Sequence, residues 1–187
     1  MGRVAGRSPE QTRRILLDAA WRTIRVRGMS ASLDDVAAEA GVTKGGLIYH
    51  YSTREKLLLS LVEDSLENFR SIVLELIDPE DKQIGRLARS YIRACFVDRH
   101  DQTSAHDRTV VIAQLMSIPT IEAAARHDAA RWATDLGEDG LPSELLQVVT
   151  SAADGASAAP MWGAIRDEES RGRLRDLLIS LTYRPHL

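Results

Sequence analysis

A single cysteine, Cys95, stands in 187 residues, so no disulfide can close within the chain. A lone cysteine fits a reducing compartment, and Cys95 reads as a small packed residue rather than a nucleophile. Aromatic residues are scarce at 5%. No stretch approaches the ~18 apolar residues of a membrane-spanning helix, and no apolar segment follows the N-terminal arginines as in a secretory signal. A glycine-rich phosphate loop, a nucleophile elbow, an HExxH helix and a Cys/His cluster are all missing. His100, His106 and His127 match no ligand spacing, so no metal and no cofactor is expected. These absences argue against an enzyme and a membrane protein, and they point to a cytoplasmic chain held together by its apolar core.

What is present is ordinary in amount and uneven in distribution. Hydrophobic residues make up 44% and charged residues 27%, enough for one good core or two small ones. The net charge of −3 hides a basic head on an acidic body. Residues 1–60 hold ten Lys/Arg against six Asp/Glu, whereas residues 61–187 hold fourteen against twenty-one. That layout suits a protein that meets a polyanion at one end.

The most informative stretch is 28–57, GMSASLDDVAAEAGVTKGGLIYHYSTREKL. Ser32 caps a short helix, and Asp35, three residues on, reaches back to the cap's own amide as in a capping box. Val36, Ala37 and Ala40 form an apolar face, and Gly41 ends the helix in the left-handed conformation. Thr43 restarts a helix that carries Lys44, Tyr49 and His50 on exposed positions. Two short helices about a tight glycine turn make a helix-turn-helix, whose second helix enters the major groove of DNA.

Helical periodicity runs almost end to end, with no strand alternation. A first helix spans 9–27, with Pro9 in its first turn and Ile15, Leu16, Ala19, Ala20 and Ile24 on one face. Another starts at Ser52-Thr53 and runs through Leu57, Leu58, Leu61, Val62, Leu66, Phe69 and Val73 to Asp78-Pro79. Its length is roughly 37 Å at 1.5 Å per residue. Five further segments follow at 81–98, 104–117, 119–136, 143–165 and 168–183. Residues 1–7 read as disordered. The fold class expected is all-α, with a three-helix head, a larger C-terminal bundle and about nine helices in all.

Residues 13–62 resemble the N-terminal domain of the TetR family of bacterial transcriptional regulators. The family's features occur in order. Arg27-Gly28 closes the first helix, and Val36-Ala37 with Ala40-Gly41-Val42-Thr43-Lys44-Gly45 leads into the recognition helix. Tyr49-His50-Tyr51 closes that helix, and Arg54-Glu55-Lys56-Leu57 opens helix four. The departures are Ile24 for the usual aromatic, Gly46 where a hydroxyl residue is common, and Asp34, a negative charge beside the expected phosphate surface.

The resemblance implies a DNA-binding domain over 1–52 and a ligand-binding and dimerisation domain over 53–187, with helix 53–77 connecting them. It carries DNA contact onto Ser32, Thr43, Lys44, Gly45, Tyr49, His50 and Arg54, with Arg3 and Arg7 as a flexible arm. Val42, Leu47 and Tyr51 belong to the head's core. The family pairs through its last two helices, which puts Leu145, Val149, Ala152, Ala156, Leu174, Leu177, Leu178 and Leu181 at a homodimer interface. The pair Asp154-Gly155 also matches the family. A bundle pocket for a small, largely apolar effector is expected near Tyr91, Phe96, Met116, Trp132, Met161 and Trp162. The function implied is a repressor on a palindromic double-stranded operator, released by that effector. The alternative is a DNA-binding regulator controlled by a protein partner or by abundance.

Overall fold

Serine at position 8 accepts from the Gln11 amide while the Gln11 side chain accepts from Ser8 N–H, and this capping box launches α1, Pro9–Arg27. The computed structural model describes residues 8–97, 111–159, 163–164 and 167–184, and among these it holds helices and no strand. Residues 1–7, with Arg3 and Arg7, lie outside the described residues, as do His100 and His106. The helices that follow are α2 (Leu33–Glu39), α3 (Lys44–His50), α4 (Arg54–Glu75) and α5 (Arg86–Cys95). They continue with α6, described over 111–115, then α7 (Pro119–Gly137), α8 (Ser143–Ala158) and α9 (Glu168–Thr182).

The chain divides into two compact units, Met1–Ser65 with Val110–Ala125, and Leu66–Thr109 with Arg126–Leu187. This differs from the expected boundary at residue 52. The first turns of α4 bury Leu57, Leu58, Leu61 and Val62, so they belong to the head's core. Val111, Leu115 and Ile121 are buried in the same unit. There Thr120 donates to the Glu55 carboxylate at 2.7 Å.

Within the first unit, α1 turns Leu16, Leu17, Ala19, Ala20 and Ile24 inward. Val36, Ala37, Leu47 and Tyr51 are buried with them, while Val42 is half-buried. Ion pairs tie the elements at the rim: Arg14 to Asp64 at 2.7 Å, Arg22 to Glu39 at 2.6 Å and Arg27 to Asp35 at 3.0 Å. Such exposed pairs fix register more than they stabilise, at ~0–1 kcal/mol each.

The second unit has two apolar clusters. Ile92, Cys95, Phe96, Val149, Ala153, Ala156 and Leu178 form one. Val73, Ala88, Trp132, Leu136 and Leu141 form the other, and Phe69, Tyr91 and Leu145 pack against both. Helix α5 begins later than the 81–98 expected. Asp78 and Asp81 accept from the amides of Glu80 and Gln83, which competes with helix formation, and Gly85 adopts φ +81. Only glycine fits there, since a Cβ would stand 2.8 Å from Leu141 Cδ2. The resulting turn is gathered by Arg89, which is fully buried and donates to Asp81, to the carbonyls of Gln83 and Ile84, and to Thr182. The segment expected at 104–117 is described only from 111, and α8 ends at Ala158 rather than 165.

Candidate nucleic-acid interface

The two short helices of the head are set by their caps. Ser32 Oγ accepts from Asp35 N at 3.1 Å, and the Asp35 carboxylate accepts from the Ser32 amide at 2.9 Å and from its hydroxyl at 2.7 Å. The Ser32 hydroxyl foremost, then its amide and the Arg27 charge, hold the Asp35 carboxyl below the usual carboxylate range. Helix α2 ends in a Schellman motif, with Gly41 at φ +66, Gly41 N–H on Ala38 O and Val42 N–H on Ala37 O. Thr43 Oγ1 then caps α3 by accepting from Gly46 N at 3.1 Å.

Helix α3 buries Leu47 completely, half-buries His50 and shows its other residues to solvent. Tyr49 is 83% exposed and meets His50 edge to face at 5.2 Å. A tyrosine so uncovered carries a large apolar ring that the chain's own packing leaves unused. Ile48, 40% exposed beside it, was not singled out from the sequence, although its place next to Tyr49 on a helix with Leu47 inside was the available signal. Lys44 Nζ donates to Asp34 Oδ2 at 2.7 Å. A Cβ on Gly45 would meet nothing within 4 Å, so this glycine is not required by any protein neighbour.

Arg54, expected to contact the DNA backbone, is also held by the protein. Its Nε donates to Ala31 O at 2.8 Å and its Nη2 to Met29 O at 2.9 Å, which commits the guanidinium to the connection between α1 and α2. Arg54 therefore positions Ser32 and α2 from within the protein. Lys56 nearby is exposed.

Of the residues expected to line an effector pocket, Tyr91 and Trp132 come together, with ring centroids 5.1 Å apart and Phe69 edge-on to both. Phe96 sits in the neighbouring cluster, on which Tyr91 also packs. Met116 is half-buried and belongs to the first unit, whereas Tyr91, Phe96 and Trp132 belong to the second. Met161 and Trp162 lie outside the described residues. Sequence reasoning did not connect Tyr91 with Asp154, yet the Tyr91 hydroxyl donates to Asp154 Oδ1 at 2.7 Å. Burial raises the Asp154 carboxyl, and burial, reinforced by Asp154, pushes the Cys95 thiol far above its ordinary value, so Cys95 is a packing residue. Among the described residues no three His, Cys, Asp or Glu side chains group as metal ligands.

The expected interface residues divide. Val149, Ala156 and Leu178 are buried in the chain's own core, because α5 and the facing helix of the α8–α9 pair cover them. Leu145, Ala152, Leu174 and Leu181 are half-buried. Leu177, 55% exposed, and Val148, 57% exposed, are the apolar residues that face outward.

Comparison with known proteins agrees with this geometry. A model described as "Bacterial regulatory proteins, tetR family" matches residues 16–61, and a "Tetracyclin repressor-like, C-terminal domain" model matches 85–183. The HTH-type transcriptional regulator SrpR of Pseudomonas putida is 26% identical over 187 residues, covering 93% of this chain and 84% of that protein. PksA of Bacillus subtilis is 33% identical over 78 residues, a match that spans 39% of this chain and 38% of PksA. Among solved structures, a transcriptional regulator of Rhodococcus sp. RHA1 superposes with a TM-score of 0.74 at 18% identity, covering 92% of this chain and 96% of that one. The multidrug binding protein EbrR, solved with malachite green, superposes at 0.64 with 25% identity over 91% and 97%.

Proposed function

The chain belongs to the TetR family of bacterial transcriptional regulators, and from that premise we propose that it is a ligand-responsive repressor binding a palindromic operator as a homodimer. It is a DNA-binding regulator and not an enzyme. The observation that carries the proposal is the outward face of α3, where Lys44, Ile48 and Tyr49 are exposed on a helix anchored by Leu47. Exposed donors and apolar groups on a recognition helix suit base edges and thymine methyls, while cations at the rim suit phosphates.

A second copy is expected to pack against α8 and α9. Val148, Ser151 and Gly155 share one exposed stripe of α8, and Leu177 and Ser180 share one of α9. Small residues there allow close approach of helices, and Val148 and Leu177 supply apolar area. A symmetric pair would read half-sites about one turn of DNA apart, ~34–36 Å. The effector is a small, largely apolar molecule held near Tyr91, Phe96 and Trp132. The EbrR relative, a multidrug binding protein complexed with malachite green, supports that class. By binding preferentially to a state unable to engage the operator, the effector lowers the DNA-competent population, with α4 as the lever because it contributes to both units. No helix among the described residues is long and apolar enough to cross a membrane, and the site of action proposed is the cytoplasm, on the nucleoid when bound.

Selection of duplexes from a random library tests the operator claim. Wild type is expected to enrich a palindrome, and Lys44→Ala and His50→Ala each to lose part of its consensus. A folded dimer that enriches nothing would sink the reading. Thermal-shift screening tests the effector: a ligand that raises the melting point and releases the operator supports it, and a ligand that binds without changing operator affinity refutes it.

A further inference from the structure

We propose that Asp34 and Lys44 act together as one base-reading unit, which makes Asp34 a specificity-determining residue; this rests on the reading of α3 as the operator-reading helix. The N-terminal residues of a recognition helix are the ones that reach base edges. In α3 those residues are Lys44, Gly45 and Gly46, so Lys44 is the only side chain with reach in the first turn. A lysine alone reads poorly, because its compact ammonium on a flexible stem is satisfied by any phosphate oxygen.

Here the ammonium is not alone. The carboxylate of Asp34, in the first turn of α2, accepts from Lys44 Nζ through Oδ2 at 2.7 Å. Both side chains are more than half exposed, at 56% and 62%, so the pair faces solvent as a unit. An ion pair this open does little for folding. Helix α2 is already capped by Ser32 and Asp35, so its start does not depend on Asp34.

The chemistry of the pair is a donor beside an acceptor. The major-groove edge of a G·C pair presents N7 and O6 as acceptors next to the cytosine N4 amine as a donor. Lys44 can donate to the guanine while Asp34, through its second oxygen, accepts from the cytosine amine. Against a phosphate the same pair is disfavoured, because the carboxylate is repelled. The unit therefore exchanges general affinity for the backbone for discrimination at one base pair of each half-site.

The test uses the full chain, with library selection and fluorescence anisotropy on the selected operator and on a scrambled duplex. Wild type is expected to select a G·C pair at a fixed place in each half-site. Asp34→Ala and Lys44→Ala should erase the preference at that same pair, reducing the matched-to-mismatched ratio there by roughly tenfold or more. Asp34→Ala should also bind the scrambled duplex more tightly and with steeper salt dependence, since Lys44 is released to phosphates. Asp34→Asn, nearly identical in shape, should move the preference towards adenine, the base an amide side chain reads. Melting curves that match wild type establish that each variant is folded. The proposal is overturned if Asp34→Ala tightens both duplexes equally with an unchanged consensus, if it changes neither, or if the two alanine variants affect different base pairs. A folded wild type without any consensus would overturn operator reading itself, and this unit with it.

Discussion

Arg54 Nε donates to the carbonyl oxygen of Ala31 at 2.8 Å, which ties the first turn of α4 to the residue just before the α2 cap. With Nη2 on Met29, one guanidinium satisfies two carbonyls of the connection between α1 and α2. Arg54→Lys is expected to lower stability by about 1–2 kcal/mol in denaturant unfolding, because one ammonium does not reproduce the planar fork. Operator affinity should fall with it. A change in salt dependence at unchanged stability would instead identify a phosphate contact.

Gly45 lies in a short helix with open space where a Cβ would stand. Gly45→Ala should stabilise the free protein by roughly 0.5–1 kcal/mol, through reduced unfolded-state entropy and better helix propensity. It should weaken operator binding at the same time, since the added methyl enters the space left for DNA. Thermal melts and anisotropy titrations moving in opposite directions would establish this; a variant that melts higher and binds equally well would refute it.

The Asp35 carboxyl is held low by the Ser32 hydroxyl and amide, with Arg27 adding its charge. A depressed acid contributes its full stabilisation above the unfolded carboxylate value and loses it as pH falls through the folded one. The gap in melting point between wild type and Asp35→Asn should thus stay constant from pH 7 to about pH 5 and close below about pH 4. Ser32→Ala, which removes the cap acceptor, should cost ~1 kcal/mol at neutral pH.

Arg89 is fully buried against Asp81, whose carboxyl that same guanidinium holds low. Asp81→Ala leaves a buried charge without its partner and should cost ~3–5 kcal/mol, read as the shift in unfolding free energy. A cost under 1 kcal/mol would mean that the carbonyls of Gln83 and Ile84 suffice.

Neighbours on α9 are expected to separate assembly from folding. Leu177 is 55% exposed and Leu178 only 3%. Leu177→Lys should leave protomer stability within about 0.5 kcal/mol yet yield monomers in sedimentation velocity, with operator affinity lost. Leu178→Ala removes a core side chain and should cost ~2–5 kcal/mol. A Leu177→Lys protein that remains dimeric would move the interface elsewhere.

Much of this protein was legible in one dimension because its local signals agree. Ser32 with Asp35, Gly41 and Thr43 specify caps and a turn through hydrogen bonds that span only a few residues, and they stand as read. The stripe of α1 from Leu16 to Ile24 is likewise a matter of helical period. What needed the tertiary structure is where a side chain's remaining donors or apolar atoms go once helices pack. Arg54 reads as one more surface cation until Met29 and Ala31 are brought beside it. Val149 and Leu177 share an apolar pattern, but only the packing of α5 against α8 and α9 buries the first and leaves the second outside. The turn before α5 was hidden for the same reason, since its Asp81–Arg89 pair closes only in the folded chain. Sequence determined most of the helical segments and the two-helix turn of the head, because those depend on neighbours along the chain. Packing decided which charges and leucines are free to act, because that depends on neighbours in space.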